Sequence, residues 1–171
     1  MALVSVRRER APAPCALSSK RQNTEAITMR MTEMTDKLDR WSPYALALLR
    51  IVTALIYVEH GTQKLFGFPP ASSPMPPAFS LFWIGGVLEM VGGFLILIGL
   101  FTRPVAFLLS GEMAVAYWMV HAPRNVFPAL NGGDAAILYC FIFLFLVFAG
   151  PGALSVDGAH RERSRSWLPG R

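Results

Sequence analysis

The chain has 171 residues, of which 53% are hydrophobic and 16% are charged, whereas soluble proteins carry about 25% charged residues. Its net charge of +5 lies mostly in the two ends of the chain, and residues 1–40 hold eight of the sixteen Lys and Arg residues. This distribution predicts one membrane domain between two polar tails and argues against a nucleic-acid-binding surface.

Residues 1–40 are rich in Ala, Pro, Ser and Arg and show no sustained apolar periodicity. They are therefore predicted to form a disordered, basic N-terminal tail. No apolar core of a signal peptide is visible in this stretch. An alternative interpretation is that translation begins at Met29, Met31 or Met34.

Four apolar segments follow, broken by Gly and Pro, over residues 43–68, 79–101, 104–120 and 135–149. The second is long enough to cross the roughly 30 Å hydrocarbon core as a helix, and the fourth needs flanking residues to do so. The link between the second and third segments is very short, so these two must be antiparallel neighbours. The sequence thus predicts an all-α membrane protein, a four-transmembrane-helix bundle over residues 41–157 with a basic tail over 158–171.

The orientation of this bundle follows from its basic residues. Lys37, Arg40, Arg103 and the C-terminal arginines fall on one side of a four-span protein, while Lys64 and Arg124 fall on the other. The positive-inside rule then predicts that both termini are cytoplasmic and that the two longer loops are outside.

Three ionisable residues, Arg50, Glu89 and Glu112, lie within the apolar segments. Each costs about 2.5 to 3.5 kcal/mol in the middle of a membrane, so such groups normally pair or serve a function. Glu89 shares a helix face with Gly85 and Gly92, which predicts that it points towards a closely packed neighbouring helix.

These three side chains are predicted to meet in a buried polar core. One arginine neutralises one carboxylate well, and the second acid is then expected to be protonated at neutral pH. Such a core would relay protons or hold a quinone carbonyl. The alternative is that the charges only fix the register of the helices.

A second candidate site lies at the outer ends of the helices. His60, Lys64, His121 and Asp134 would cluster there and bind an anion, a quinone head group or a metal. A plainer interpretation is that Asp134 stabilises a helix N-terminus while Lys64 and His60 extend to the interface. The two histidines lack the spacing of a ligand motif, so no metal is predicted.

Cysteine usage bears on the redox chemistry of the chain. Cys15 and Cys140 form no C-x-x-C motif, so thiol–disulfide exchange within the chain is excluded. No nucleotide-binding loop or haem-attachment motif is present either. The chain itself shows no cofactor, and any redox chemistry must come from a bound quinone or a partner subunit.

An ordered set of motifs over roughly residues 46–157 resembles the DoxX family. It contains Arg50, the run from His60 to Gly67, Glu89 with Gly92-Gly93, Leu97, Gly99-Leu100, Thr102-Arg103, Gly133-Asp134, Leu138-Tyr139, Gly150-Pro151-Gly152 and Ser155-Val156-Asp157. The family more often has glutamate at the position of Asp134, and the proline-rich loop after the first segment is longer here.

The resemblance implies a four-helix protein of the bacterial inner membrane, in a family linked with redox or sulfur metabolism and with a thiosulfate:quinone oxidoreductase subunit. Three functions remain open, and enzymatic activity is undecided. The chain is a membrane subunit of a redox system with oxidoreductase partner subunits, a scaffold that anchors soluble partners, or a small transporter or channel. The last would require a homo-oligomer, because four spans leave little room for a pore.

Overall fold

The computed structural model describes residues 14–70 and 74–166, and every regular element in these ranges is helical. The prediction of an all-helical fold is therefore confirmed. The elements are α1 (Pro14–Phe66), α2 (Leu81–Ile98), α3 (Thr102–Ala116) with a π-helical turn (Tyr117–His121) after it, α4 (Pro128–Asn131), α5 (Asp134–Ala149) and α6 (Val156–Ser166).

Two helices in the described part of the chain are long and apolar enough to cross a membrane. They are α1, over Arg21–Phe66, and α2, whose 18 residues have a mean hydropathy of 2.1. Helix α5 is apolar but has only 16 residues. The 15 residues of α3 run directly into the 5-residue π-helical turn.

The chain divides into two compact units between Trp41 and Ser42. In the first unit the structure differs from the predicted disordered tail, because α1 is helical from Pro14 onwards, while residues 1–13 lie outside the described residues. A helix that has nucleated extends by one hydrogen bond per residue, and many residues of this stretch have high helix propensity. An exposed Arg21–Glu25 pair at 3.2 Å adds a small local contribution.

The second unit holds the apolar core. Tyr57 of α1 is fully buried and packs edge-on against Phe143 of α5, with the ring centroids 4.8 Å apart. Around it lie Ala54, Ile96, Ala106, Leu109, Met113, Ala136 and Leu146. The α6 segment, predicted as part of a polar tail, is helical as well.

Glycines bring α1 and α2 into backbone contact. A Cβ atom on Gly61 would lie 2.6 Å from the backbone nitrogen of Met90 and 2.9 Å from the carbonyl oxygen of Gly86. A Cβ atom on Gly93 would lie 2.7 Å from a side-chain carbon of Val58. These distances leave no room for a side chain, so the position of α2 along α1 is set by this close approach.

Candidate functional site

A lysine and a glutamate meet across the contact between α1 and α2. Lys64 Nζ donates a hydrogen bond to Glu89 Oε1 at 2.5 Å. The Glu89 side chain is 3% exposed, whereas the Lys64 side chain is 33% exposed. A Cβ atom on Gly86 would lie only 2.9 Å from the Lys64 Cβ, so the stem of the lysine runs over the glycine surface towards the carboxylate. The pair therefore connects a buried acid to the end of α1.

A second acid from α3 joins this region. The buried Tyr57 hydroxyl donates a hydrogen bond to Glu112 Oε2 at 3.0 Å. The other oxygen, Glu112 Oε1, lies beside Gly85, where a Cβ atom would be 3.3 Å away. Gly85 and Glu89 are one helical turn apart and share a face of α2. The carboxyl group of Glu112, which lies beside Gly85, therefore interacts electrostatically with that of Glu89. We call Tyr57, Lys64, Glu89 and Glu112 the polar cluster.

The polar cluster contains one ammonium group for two carboxyl groups. Among the described residues, Glu89 Oε2 is buried and has no hydrogen-bond partner. Buried polar atoms of this kind are rare and call for an explanation such as a catalytic role or an unseen ligand. The cluster can therefore accept one further hydrogen bond, or donate one if the carboxyl group carries a proton.

The polar cluster does not include Arg50, contrary to the sequence-based expectation. Arg50 is fully buried and its guanidinium donates to backbone carbonyl groups. The acceptors are Ile96 (2.6 Å), Leu97 (2.5 Å), Pro151 (2.8 Å), Ala153 (3.4 Å) and Leu154 (2.8 Å). Lys64 follows Arg50 by fourteen residues and therefore lies about 21 Å further along α1. Because Glu89 packs at the Lys64 end, the lysine and not the arginine is its cationic partner.

The four residues of the predicted outer-face site are not joined by hydrogen bonds or ion pairs in the described part of the chain. The ring of His60 packs against Tyr139 with centroids 6.0 Å apart, while His121 Nδ1 lies 3.1 Å from the carbonyl oxygen of Asn131. Asp134 is exposed in the first turn of α5, as the plainer interpretation expected. Residues 14–70 and 74–166 contain no group of three His, Cys, Asp or Glu residues that could hold a metal.

Tyr57 is the member of the polar cluster that sequence reasoning missed. It follows Arg50 by seven residues and precedes Lys64 by seven, and each interval is close to two turns of a helix. All three side chains therefore project from one face of α1. This spacing was the available signal for Tyr57.

Asp157 joins α6 to the start of α3. Its two carboxylate oxygens accept hydrogen bonds from the backbone N–H groups of Phe101 at 2.9 Å and Thr102 at 2.8 Å, so it caps the N-terminus of α3. Partial burial alone would raise the pKa of Asp157. The hydrogen bonds from Thr102 and Phe101 and the charge of Arg161 outweigh this effect and lower the pKa below its ordinary value. Asp157 is therefore ionised at neutral pH.

Within the residues that the structure describes, two helices long and apolar enough to cross a membrane, with Arg50 and Glu89 buried between helices, are typical of an integral membrane protein. The DoxX family model matches residues 45–122. An uncharacterized protein of Haemophilus influenzae is 42% identical over 127 residues, which cover 71% of this chain and 95% of that protein. Inner membrane protein YphA of Escherichia coli is 30% identical over 128 residues, which cover 67% of this chain and 89% of that protein.

An uncharacterized membrane protein of Mycobacterium tuberculosis is 28% identical over 149 residues, which cover 71% of this chain and 85% of that protein. No solved structure gives a significant match. The chain belongs to the DoxX family. The predicted location in the inner membrane is confirmed by the family match, by the names of these relatives and by the apolar helices.

Proposed function

We propose that this protein is the membrane subunit of a redox system and that its polar cluster contacts a quinone head group. The observation that carries the proposal is the unpartnered, buried Glu89 Oε2 beside a second carboxyl group and a lysine. Structural ion pairs satisfy their polar atoms, whereas this arrangement leaves hydrogen-bonding capacity unused in an apolar setting.

The donors and acceptors of the polar cluster suit a quinone. A quinone supplies two-electron, two-proton redox chemistry. Its oxidised form presents two ring carbonyl groups that accept hydrogen bonds, and its reduced form presents two hydroxyl groups, one of which can donate to Glu89 Oε2. The Lys64 ammonium group has three N–H donors, and its contact with Glu89 uses one of them. Because the Lys64 side chain is one-third exposed, the cluster is accessible at this end of α1.

Each residue of the polar cluster has a distinct proposed role. Lys64 neutralises Glu89 and donates to a carbonyl group of the ligand. Tyr57 orients Glu112 through its hydroxyl group. The cluster has one cation for two acids, so one carboxyl group holds a proton and can exchange it with the ligand. At the other end of the second unit, Arg50 binds carbonyl groups and takes no part in this exchange.

The proposal is tested by titrating the purified protein with a soluble ubiquinone analogue, in its oxidised and in its reduced form, and measuring the dissociation constant of each. We expect Glu89→Gln and Glu112→Gln to weaken binding of the reduced analogue about tenfold or more, because a hydrogen bond from a ligand hydroxyl to a charged carboxylate contributes roughly 1.5 to 3 kcal/mol. Glu59→Gln is the matched control, since Glu59 lies on α1 and is exposed.

Equal binding by the wild type and all three variants would contradict the proposal, as would no saturable binding in the wild type. Circular dichroism and gel filtration of each variant establish that it is folded before titration.

We further propose that the chain crosses the membrane four times, by α1, α2, α3 with its π-helical turn, and α5, with both termini cytoplasmic. The lengths of α1 and α2 and the apolar character of α5 support this count. Thr102 begins α3 only four residues after the end of α2 at Ile98, which requires α3 to reverse direction.

A further inference from the structure

We propose that the cleft between the start of α3 and α6 binds the phosphate group of an anionic phospholipid. The cleft has a volume of about 480 Å³ and is lined by both cationic and apolar side chains. The cations include Arg103 and Arg161, and the apolar wall includes Phe101, Pro104 and Pro151. This inference concerns residues outside the polar cluster and does not depend on quinone binding.

Arg103 is held in a position suited to a phosphate group. Its Nη1 donates to the carbonyl oxygens of Val147 at 2.6 Å and Phe148 at 3.0 Å, in the last turn of α5. Within the described residues its Nε and Nη2 atoms have no hydrogen-bond partner, and the side chain is exposed. A guanidinium group that is fixed along one edge and free along another is preorganised for a phosphate oxygen.

The charges lining the cleft favour an anion. Two arginines, Arg103 and Arg161, face one carboxylate, that of Asp157. The oxygens of Asp157 already accept the N–H groups of Phe101 and Thr102. The acid therefore compensates only one of the two cationic charges, and the cleft keeps a net positive charge next to the end of α3.

The apolar wall of the cleft distinguishes a lipid from a soluble anion. The Phe101 side chain is 63% exposed, and Pro104 is exposed beside it. The cleft lies where α2 and α5 end, at Ile98 and Ala149. The arginines of the cleft can bind the phosphate group of a phospholipid, and the apolar side chains next to them can contact its acyl chains. Basic pockets at the cytoplasmic ends of membrane helices recognise anionic head groups in this way.

The test is lipid binding to the full-length protein in detergent, measured by native mass spectrometry. The probes are phosphatidylglycerol and phosphatidylcholine with identical acyl chains. We expect tighter binding of phosphatidylglycerol, and a loss of about fivefold in its affinity for each of Arg103→Gln and Arg161→Gln. The control variant Arg30→Gln removes the same charge from an exposed position in the first unit and should leave the affinity unchanged.

Arg161→Gln decides the outcome if Arg103→Gln does not fold, because Arg103 also binds the last turn of α5. Unchanged phosphatidylglycerol binding in Arg161→Gln would overturn the proposal, and so would equal affinity for the two lipids. Glycerol phosphate provides a further arm of the test. If it displaces phosphatidylglycerol at equal concentration, the cleft recognises a soluble phosphate ester and the lipid assignment is wrong.

Discussion

Arg50 shows how a buried charge can be stabilised without an adjacent carboxylate. Its guanidinium group donates to backbone carbonyl oxygens at the end of α2 and in the segment after α5. Carbonyl groups at a helix C-terminus lack partners within the helix and carry partial negative charge. The Arg50 side chain thus connects α1 to the end of α2 and to the segment after α5. Asp157 adds a more distant electrostatic attraction to the guanidinium group.

Arg50→Gln should lower the free energy of unfolding by about 3 kcal/mol, because several buried carbonyl groups lose their donor at once. Arg50→Lys should fall between this variant and the wild type, since an ammonium group has three donors and no planar fork. The measurement is unfolding of the purified protein by increasing mole fractions of denaturing detergent. A change of less than about 0.5 kcal/mol in Arg50→Gln would contradict this role.

At the scale of elements, the contact between α1 and α2 determines which side chains can meet. Gly61 of α1 packs directly against the backbone of α2 at Gly86 and Met90. This approach brings Lys64 within hydrogen-bonding distance of Glu89. A wider separation of the helices would leave the carboxylate without its cation in an apolar environment, which is costly.

Gly61→Ala should destabilise the protein by about 1 to 3 kcal/mol, because the added methyl group meets backbone atoms that cannot rotate away. Gly111→Ala is the matched control, since a Cβ atom there has no neighbour within 4 Å. The control should leave stability unchanged or slightly raised, as alanine favours helix more than glycine does. Detergent-induced unfolding of both variants makes the comparison, and equal stabilities would show that the helices are not held by this contact.

At the scale of the whole molecule, the second unit has different chemistry at the two ends of its part of α1, which runs from Ser42 to Phe66. The Lys64 end carries the polar cluster, and the Arg50 end carries the carbonyl contacts and the basic α6. The proposed topology assigns the first end to the outside of the cell and the second to the cytoplasm. This assignment follows the distribution of basic residues near the helix ends.

The topology predicts the labelling of single cysteines by a membrane-impermeant maleimide in a variant that lacks Cys15 and Cys140. Val126→Cys, in the exposed loop before α4, should be labelled in intact spheroplasts. Lys37→Cys and Ser164→Cys should be labelled only after lysis. Labelling of Lys37→Cys or Ser164→Cys in intact spheroplasts would refute the proposed orientation, and no labelling at any of the three positions in intact spheroplasts would refute the four-span count.

Much of the fold and part of the site could be predicted from the sequence alone. Apolar runs of sufficient length determine helices that cross a membrane, because the bilayer offers no other partner for the backbone polar groups. The ordered motifs identified the DoxX family, which the comparisons confirm. The period of the helix put Glu89 on the face of Gly85 and Gly92, which predicted its position in the interior, where it is 3% exposed.

Which charges meet was decided only by the tertiary structure. Helical periodicity determines the face on which a side chain lies, but it does not determine how far one helix is displaced along its neighbour. That displacement is set by the backbone contact at Gly61, and it pairs Glu89 with Lys64 instead of Arg50. The partners of Arg50 are backbone carbonyl groups, which every residue possesses and which no pattern of side chains can indicate.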